Sequence, residues 1–280
     1  MEVGIGLPAT IPGVEGRQLT DWARRADDAG FSTLGAIDRI VYPNYEPLTA
    51  LTAAAAVTER IRLTSAIAIL PYRANAALVA KQAATIHHLS GGRFVFGVGV
   101  GGRGDDYEVS GMSMRGRGKR FEEMLEQIER IGRGDEIGPK VDPPPPILIG
   151  GGADVVYERA ARYGAGWIMG GGPPDALRGG REKMEAAWKE AGRDGEPRIA
   201  GLFYFALGDG ADGAADEYLH DYYGFLGEYA DQVASSAATD EETIRQYLEG
   251  YQAAGCDEVI LYPCTPDVDQ VDLLADVALG

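Results

Sequence analysis

The chain contains two runs of three consecutive glycines, which are Gly150, Gly151 and Gly152, and Gly170, Gly171 and Gly172. Each run follows a short apolar stretch and precedes a helical pattern. Free N–H groups in a glycine-rich turn at the start of a helix bind phosphate. Both runs therefore predict an anion site, and the alternative is that they are only tight turns between a strand and a helix.

A third glycine-rich stretch follows the apolar run Arg93–Val98, which is typical of a buried parallel strand. Gly99, Gly101 and Gly102 remove side chains at the point where this strand opens onto a surface. The backbone can then approach a flat ligand closely. We interpret the stretch as a backbone surface against which such a ligand lies, with Arg103 at its end.

The loop after the second predicted strand is polar and aromatic, which is typical of a functional edge. It carries Asp38, Arg39, Tyr42 and Tyr45. Because this loop directly follows a buried strand, we treat all four side chains as candidates for contact with a substrate or cofactor.

A long polar loop spans residues 99–118, and loops of this length are usually functional or disordered. It contains Asp105 and Asp106, which we expect to be solvated, as loop carboxylates usually are. The basic segment Arg115–Arg120 then begins a helix. Two interpretations stay open for it, a solvated helix start or an anion clamp, because a helix N-terminus normally favours acidic side chains.

No motif in the chain indicates a metal site or an activated nucleophile. His87 and His88 lack partners at metal-ligand spacing, and the two cysteines, Cys256 and Cys264, do not form a metal motif. There is also no Gly-x-Ser-x-Gly elbow. The sequence thus indicates a binding cradle without metal, in which a bound organic cofactor does the chemistry.

The elements that must position these residues are eight apolar runs that alternate with helical patterns, which predicts a parallel (β/α)8 barrel. We expect one domain over residues 1–280, with an extra helical insertion at 209–238 after the seventh strand. A doubly wound sheet would need a glycine fingerprint where the chain has Leu7-Pro8-Ala9. The predicted strands are Val3–Leu7, Thr33–Ile37, Ile61–Ile69, Arg93–Val98, Ile147–Ile149, Gly166–Met169, Ile199–Leu207 and Glu258–Tyr262.

Composition narrows the function classes further. The formal net charge is −17, which argues against a nucleic-acid surface. No apolar run approaches the roughly 18 residues of a membrane helix, and no secretory signal pattern precedes the first strand. We therefore expect a cytoplasmic enzyme that binds neither nucleic acid nor membrane.

Several short motifs in the first 170 residues carry a family resemblance, and together they are specific. The chain resembles the luciferase-like monooxygenase superfamily, which includes bacterial luciferase, alkanesulfonate monooxygenase and deazaflavin-dependent reductases. The matching segments are Ala26–Leu34, Thr58–Leu63, Ala80–Ile86, Leu89–Arg93 and Ala160–Trp167.

The resemblance implies that FMN, or alternatively coenzyme F420, binds at the barrel mouth. It implies a non-proline cis peptide bond between Ala66 and Ile67, forming a bulge behind the cofactor ring. It places Asp38 near the ring and the cofactor's phosphate or ribityl end at Gly150–Ala153 and Gly170–Gly172.

Two positions depart from the family pattern. Many relatives have His where this chain has Arg39, and some deazaflavin enzymes have a catalytic Glu where it has Gly102. An acid or base is therefore not carried over. We predict instead that proton handling or substrate orientation falls to Arg39, Tyr42, Tyr45 and Arg103.

The predicted function is an oxidoreductase of the monooxygenase type that uses reduced FMN, with or without O2, on a small organic substrate. Alternatives are coenzyme F420-dependent hydride transfer, a barrel isomerase or lyase acting on a phosphorylated metabolite, and a non-catalytic flavin-binding barrel. Predicted partners are a separate flavin or deazaflavin reductase and a second copy of the chain. The alanine-rich helix near Ala50–Val57 is suited to close packing in a homodimer.

Overall fold

Eight parallel strands close into a barrel in chain order in the computed structural model, which describes residues 1–134 and 137–280. The first strand pairs with both the second and the last. This confirms the predicted (β/α)8 fold. The strands are β1 (Glu2–Gly6), β2 (Thr33–Ala36), β3 (Arg62–Ile69), β4 (Phe94–Gly99), β5 (Ile147–Gly150), β6 (Gly166–Ile168), β7 (Arg198–Phe205) and β8 (Glu258–Pro263).

Helices connect the strands, and most begin at the strands' carboxyl end. Two short ones lie within the loops after β3 and β4. The helices are α1 (Gly16–Ala29), α2 (Pro47–Ala55), α3 (Leu70–Arg73), α4 (Ala76–Leu89), α5 (Gly104–Val109), α6 (Arg117–Arg133), α7 (Asp154–Tyr163), α8 (Pro174–Glu190), α9 (Ala211–Tyr223), α10 (Tyr229–Ser235), α11 (Glu241–Ala253) and α12 (Asp269–Ala278).

The predicted insertion between β7 and β8 is confirmed as helical, with α9 and α10 separated by a 3-10 turn over Gly224–Leu226. Its break coincides with Gly227, whose φ is +60°. The proline-rich connector at 132–146 includes residues 135 and 136, which lie outside the described residues. None of the helices in the described ranges is long and apolar enough to cross a membrane.

The barrel interior is filled by large side chains opposite glycines. The Tyr262 ring on β8 occupies the space next to Gly6 and Gly35, where a Cβ atom would lie 2.2 and 2.3 Å from ring atoms or the hydroxyl. Glycine at these two positions therefore admits the ring. The barrel is a packed core up to the level of its mouth.

The amino ends of β3, β7 and β8 are held by an ion cluster around the buried Glu258. Glu258 accepts hydrogen bonds from Arg62 Nη2 at 2.7 Å and Arg198 Nη2 at 3.0 Å. Burial alone would raise the pKa of Glu258, but the two guanidiniums hold that pKa below its usual value. Because this cluster lies at the end opposite the active-site face of such barrels, we assign it to stability.

Candidate active site

The end of β3, at the barrel mouth, has an irregular backbone. The peptide bond between Ala66 and Ile67 is cis, as the family resemblance implies, and the pairing register with β4 shifts between Ser65 and Ala68. The Ile67 side chain lies against two glycines. A Cβ at Gly99 or Gly150 would lie 2.1 or 2.6 Å from Ile67 Cδ1. The absence of side chains there brings β3, β4 and β5 together around Ile67.

Asp38 follows β2 and is buried beside this bulge. Its Oδ2 accepts hydrogen bonds from the Ile69 N–H and from Arg73 Nη2, both at 2.8 Å. Arg73 also donates to Glu46 Oε1 at 2.8 Å. Burial raises the pKa of the Asp38 carboxyl, and the adjacent Arg73 guanidinium opposes this shift. Asp38 therefore anchors the segment that follows the bulge, and its predicted contact with a cofactor stays a prediction.

The backbone after β4 presents an open surface. Gly101 has a φ of +66°, and a Cβ there would lie 2.8 Å from Ile69 Cγ2, so this position requires glycine. Gly102 differs, because no atom lies within 4 Å of the position of its Cβ. The Tyr107 hydroxyl donates a hydrogen bond to the Val100 carbonyl and so fixes the backbone next to Gly101. A flat group can lie on the exposed side of this backbone.

The first triple-glycine turn joins β5 to α7 and is held by one tryptophan. Trp167 Nε1 donates to the Gly151 carbonyl at 2.7 Å. In a trans peptide the C=O and the following N–H point in opposite directions, so the Gly152 N–H points away from Trp167. No atom lies within 4 Å of a Cβ built at Gly152, and α7 begins two residues later, after Ala153. The turn offers N–H donors at a helix start.

The second turn, after β6, lies beside the first because β5 and β6 are paired. The Tyr251 hydroxyl donates to the Gly172 carbonyl at 2.6 Å. The following residues, Pro173 and Pro174, have no N–H, and α8 begins at Pro174. Both predicted turns thus stand at helix starts, but the second presents fewer donors for an anion.

Arg39 is buried in the loop after β2 and pairs with a carboxylate from α5. Its Nε donates to Asp106 Oδ2 at 3.2 Å, and its Nη2 donates to the Val41 carbonyl at 2.7 Å. Asp106 Oδ1 accepts from the Ile40 and Val41 N–H groups. The expectation that Asp106 is solvated is therefore wrong, because a buried guanidinium needs a buried counter-charge. Asp105, in contrast, is half-exposed, and its side chain pairs with Arg103 at 2.8 Å and lies 3.6 Å from Arg39 Nη2.

Arg103 and Tyr42 lie close to this pair, and both contact the insertion. The Arg103 guanidinium lies 3.7 Å from the centroid of the Phe225 ring, and the Tyr42 hydroxyl donates to Asp221. Tyr42 also packs edge-on against Tyr222, with ring centroids 5.0 Å apart. Three of the predicted residues, Arg39, Tyr42 and Arg103, are thus brought together.

Tyr45 is placed elsewhere. Its hydroxyl donates to the Val14 carbonyl at 2.8 Å, and its N–H donates to the Ala9 carbonyl at 3.0 Å. These contacts direct Tyr45 to the loop after β1, where it fixes the loop backbone.

The basic segment begins α6 on the same face of the barrel. The first turn of α6 has no acidic residue, and Arg120 donates to the carbonyls of Ser113 and Arg115. Arg159 of α7 approaches Gly118, where a Cβ would lie 2.8 Å from its Nη2. Positive side chains and the positive end of the helix dipole therefore coincide here.

These features fit a flat, phosphate-bearing cofactor. The open positions at Gly102 and Gly152 leave room beside the Ile67 bulge, and N–H groups at the start of α7 suit a phosphate. Within the described parts of the chain, no group of three His, Cys, Asp or Glu side chains is arranged to hold a metal ion.

Comparison with protein families identifies the group to which this barrel belongs. A family model described as luciferase-like monooxygenase matches residues 1–259. The chain belongs to this luciferase-like family. It is 35% identical over 207 residues to an uncharacterised Mycobacterium tuberculosis protein, Rv0940c, covering 61% of this chain and 71% of that protein.

Two further relatives have descriptions that name a cofactor. The chain is 27% identical over 218 residues to the F420-dependent glucose-6-phosphate dehydrogenase of Amycolatopsis mediterranei, covering 70% of this chain and 65% of that enzyme. The solved structure of an F420-dependent secondary alcohol dehydrogenase aligns with a TM-score of 0.84 at 20% identity, covering 99% of this chain and 98% of that one. This structural likeness shows the luciferase-like fold.

Sequence reasoning missed several residues of this luciferase-like site. Trp167 and Tyr251 support the glycine turns from strands and helices remote in sequence, and their motifs gave no sign of that role. Tyr222 lies in the insertion, which the sequence predicts only as helical. A buried partner for Arg39 could have been sought, because the chain has two adjacent acids after β4, at the same end of the barrel.

Proposed function

We propose that this chain is an oxidoreductase that holds coenzyme F420 at the carboxyl ends of β3 to β6 and transfers hydride to or from a small organic substrate. The observation that carries this proposal is the turn at Gly151 and Gly152. Trp167 Nε1 donates a hydrogen bond to the Gly151 carbonyl. The Gly152 N–H points the opposite way and lies just before the start of α7. When bound, a deazaflavin supplies a two-electron hydride donor or acceptor.

The protein's part in this reaction is to bind and orient. We propose that the first glycine turn receives the cofactor's phosphate, because Pro173 and Pro174 remove N–H donors from the second. The ring would lie between the Ile67 side chain and the backbone at Gly101 and Gly102.

The sequence alone favours FMN as the cofactor, with F420 as the alternative. The basic start of α6 favours F420 instead. FMN ends at its phosphate, whereas F420 continues into a longer anionic tail. Arg115 and Lys119 are exposed in the segment that precedes and begins α6. The similarity to the F420-dependent enzyme of Amycolatopsis mediterranei supports the same choice. FMN is the second candidate, because the matching family model is described as monooxygenase.

The four residues predicted as catalytic take different roles in this proposal. Arg39 is a positioning residue, because its guanidinium is already bound to Asp106. Burial and the Asp221 carboxylate raise the pKa of Tyr42, so it stays a neutral phenol near pH 7 and can orient a substrate. Arg103 contacts the Phe225 ring at the same side of the mouth, and Tyr45 supports the loop after β1.

A cytoplasmic homodimer, served by a separate flavin or deazaflavin reductase, completes the proposal. The buried Arg39–Asp106 pair gives a reason to prefer an enzyme over a non-catalytic barrel, because it fixes a loop at the mouth rather than in the core. An isomerase or lyase would require a catalytic Lys or Glu at a strand end, and the sequence gives no such candidate.

A fluorescence titration tests the cofactor choice. Purified protein is titrated with F420 and with FMN at low and high salt. We expect F420 to bind at least tenfold more tightly than FMN at low salt, with a preference that shrinks as salt screens the tail. Replacing Arg115 and Lys119 by Ser should remove the preference, whereas Ser at Arg130 and Arg133, near the other end of α6, should not. FMN binding as tightly as F420 at low salt would contradict the choice.

A further inference from the structure

Five exposed apolar side chains lie along one side of the barrel mouth, and we call them the apolar rim. They are Ile40, Val41, Phe225, Leu226 and Tyr229. The first two residues lie in the loop after β2, and the other three lie in the insertion after β7. Each of these side chains is between 37% and 55% exposed. Large apolar side chains that gather on one exposed face mark a binding surface more often than scattered ones do.

The rim is fixed to the candidate site by two hydrogen bonds and a cation–π contact. The Ile40 and Val41 N–H groups donate to Asp106 Oδ1 at 3.0 and 2.7 Å. Arg103, which follows the open glycine backbone, lies over the Phe225 ring. The two halves of the rim are therefore attached to the same short segment that precedes and begins α5.

The charges beneath the rim cancel in pairs. Arg39 is paired with Asp106, and Arg103 is paired with Asp105 through two hydrogen bonds of 3.2 and 2.8 Å. The two carboxylates balance the charges of the two guanidiniums, so these four side chains carry no net positive charge to attract a phosphate or carboxylate of a ligand. One donor, Arg39 Nη1, is buried without a hydrogen-bond partner in the protein and suits a neutral oxygen atom. This wall thus differs from the basic start of α6, where cations are concentrated.

We propose that the apolar rim binds the substrate, and that this substrate is an uncharged, mainly apolar molecule rather than a phosphorylated or carboxylated one. The inference rests on the proposed function, because it places the substrate beside the cofactor surface at Gly101 and Gly102. It separates this chain from its relative in Amycolatopsis mediterranei, whose name specifies a sugar phosphate. Shape and apolar contact select the ligand here, beside the half-buried Tyr42 and Tyr223, whose hydroxyls are hydrogen-bonded to Asp221 and Tyr204.

Ligand-observed NMR on the F420-loaded protein tests the inference with two probes, cyclohexanol and glucose 6-phosphate. We expect cyclohexanol to bind, and its affinity to fall at least fivefold when Val41 and Phe225 are both replaced by Ser. Leu89→Ser is the matched control, because Leu89 is also apolar and exposed but lies at the far end of α4. Thermal unfolding of each variant verifies that it is folded.

Three outcomes would overturn the inference. They are an unchanged cyclohexanol affinity in the double variant, tighter binding of glucose 6-phosphate than of cyclohexanol, and conversion of a dimer to a monomer by the double variant with probe binding intact. The last would make the rim a contact with a second copy. Cofactor affinity is titrated separately. Failure of the proposed function appears as no cofactor binding, whereas failure of this inference appears as a loaded protein that does not bind cyclohexanol.

Discussion

The Arg39 Nε atom lies 3.2 Å from Asp106 Oδ2, and the two side chains are only 3% and 4% exposed. This ion pair joins the loop after β2 to α5, and so connects two of the loops that form the mouth. Both charges are buried away from water, and each is stabilised by the opposite charge of the other side chain.

We expect Asp106→Ala to lower the free energy of unfolding by about 3 kcal/mol, because it removes the buried partner of Arg39 and leaves only Asp105, 3.6 Å from Arg39 Nη2, as a counter-charge. Asp105→Ala is the matched control. It removes the half-exposed partner of Arg103 and keeps the buried pair, and the expected loss is about 1 kcal/mol or less. Urea unfolding measures both. Equal losses for the two variants would show that the buried pair does not hold the loops.

The barrel could be read from the sequence, whereas this pair could not. Alternation of apolar strands and helices is a local pattern, and it marked every strand to within a few residues. The burial of Asp106 depends on where Arg39 sits, and the two residues are 67 positions apart. No local pattern distinguishes the buried Asp106 from the half-exposed Asp105 next to it.

The glycine turns show the same division. Their positions at helix starts follow from composition, because glycine runs after apolar strands are visible in the sequence. The side chains that hold the two turns do not follow from composition, since only the closed barrel brings the Trp167 and Tyr251 donors within reach. The missing donors at Pro173 and Pro174 were visible, but they gain meaning only beside the first turn.

The adjacent glycines Gly101 and Gly102 should respond differently to substitution. Gly101→Ala forces a side chain into a positive-φ conformation against Ile69, and we expect a loss of about 1–2 kcal/mol of stability. Gly102→Glu meets no neighbour, so stability should change by less than about 0.5 kcal/mol. The absorption spectrum of bound F420 should nevertheless shift, because the new carboxylate lies beside the proposed ring position. An unchanged spectrum of the bound cofactor in Gly102→Glu would refute this placement of the ring.

The two donors beneath the glycine turns allow a paired test of the phosphate site. Trp167→Phe removes the hydrogen bond to the Gly151 carbonyl, and Tyr251→Phe removes the one to the Gly172 carbonyl. We expect the first to weaken F420 binding at least fivefold, and the second to change it less than twofold, because the second turn presents fewer N–H donors to a phosphate. A larger effect of Tyr251→Phe, measured by the same fluorescence titration, would move the phosphate to the second turn.

Acid should destabilise the barrel through Glu258. Its pKa is below the ordinary value in the folded chain, so its contribution is complete above the unfolded pKa of about 4.3 and is lost as pH falls through the folded value. Glu258→Gln should lower stability at pH 7 and flatten the fall of stability below about pH 5. Urea unfolding from pH 7 to pH 3 measures the slope. A variant with the same slope as the wild type would exclude this origin of acid sensitivity.

The central claim is that a phosphate-bearing deazaflavin binds at the first glycine turn with its ring beside Ile67. A crystal structure of the chain with F420 bound tests it most directly. We expect a phosphate oxygen about 3 Å from the Gly152 nitrogen, and the ring against Ile67 and Gly102. A phosphate held elsewhere, or a ring seated on another face of the barrel, would contradict the account.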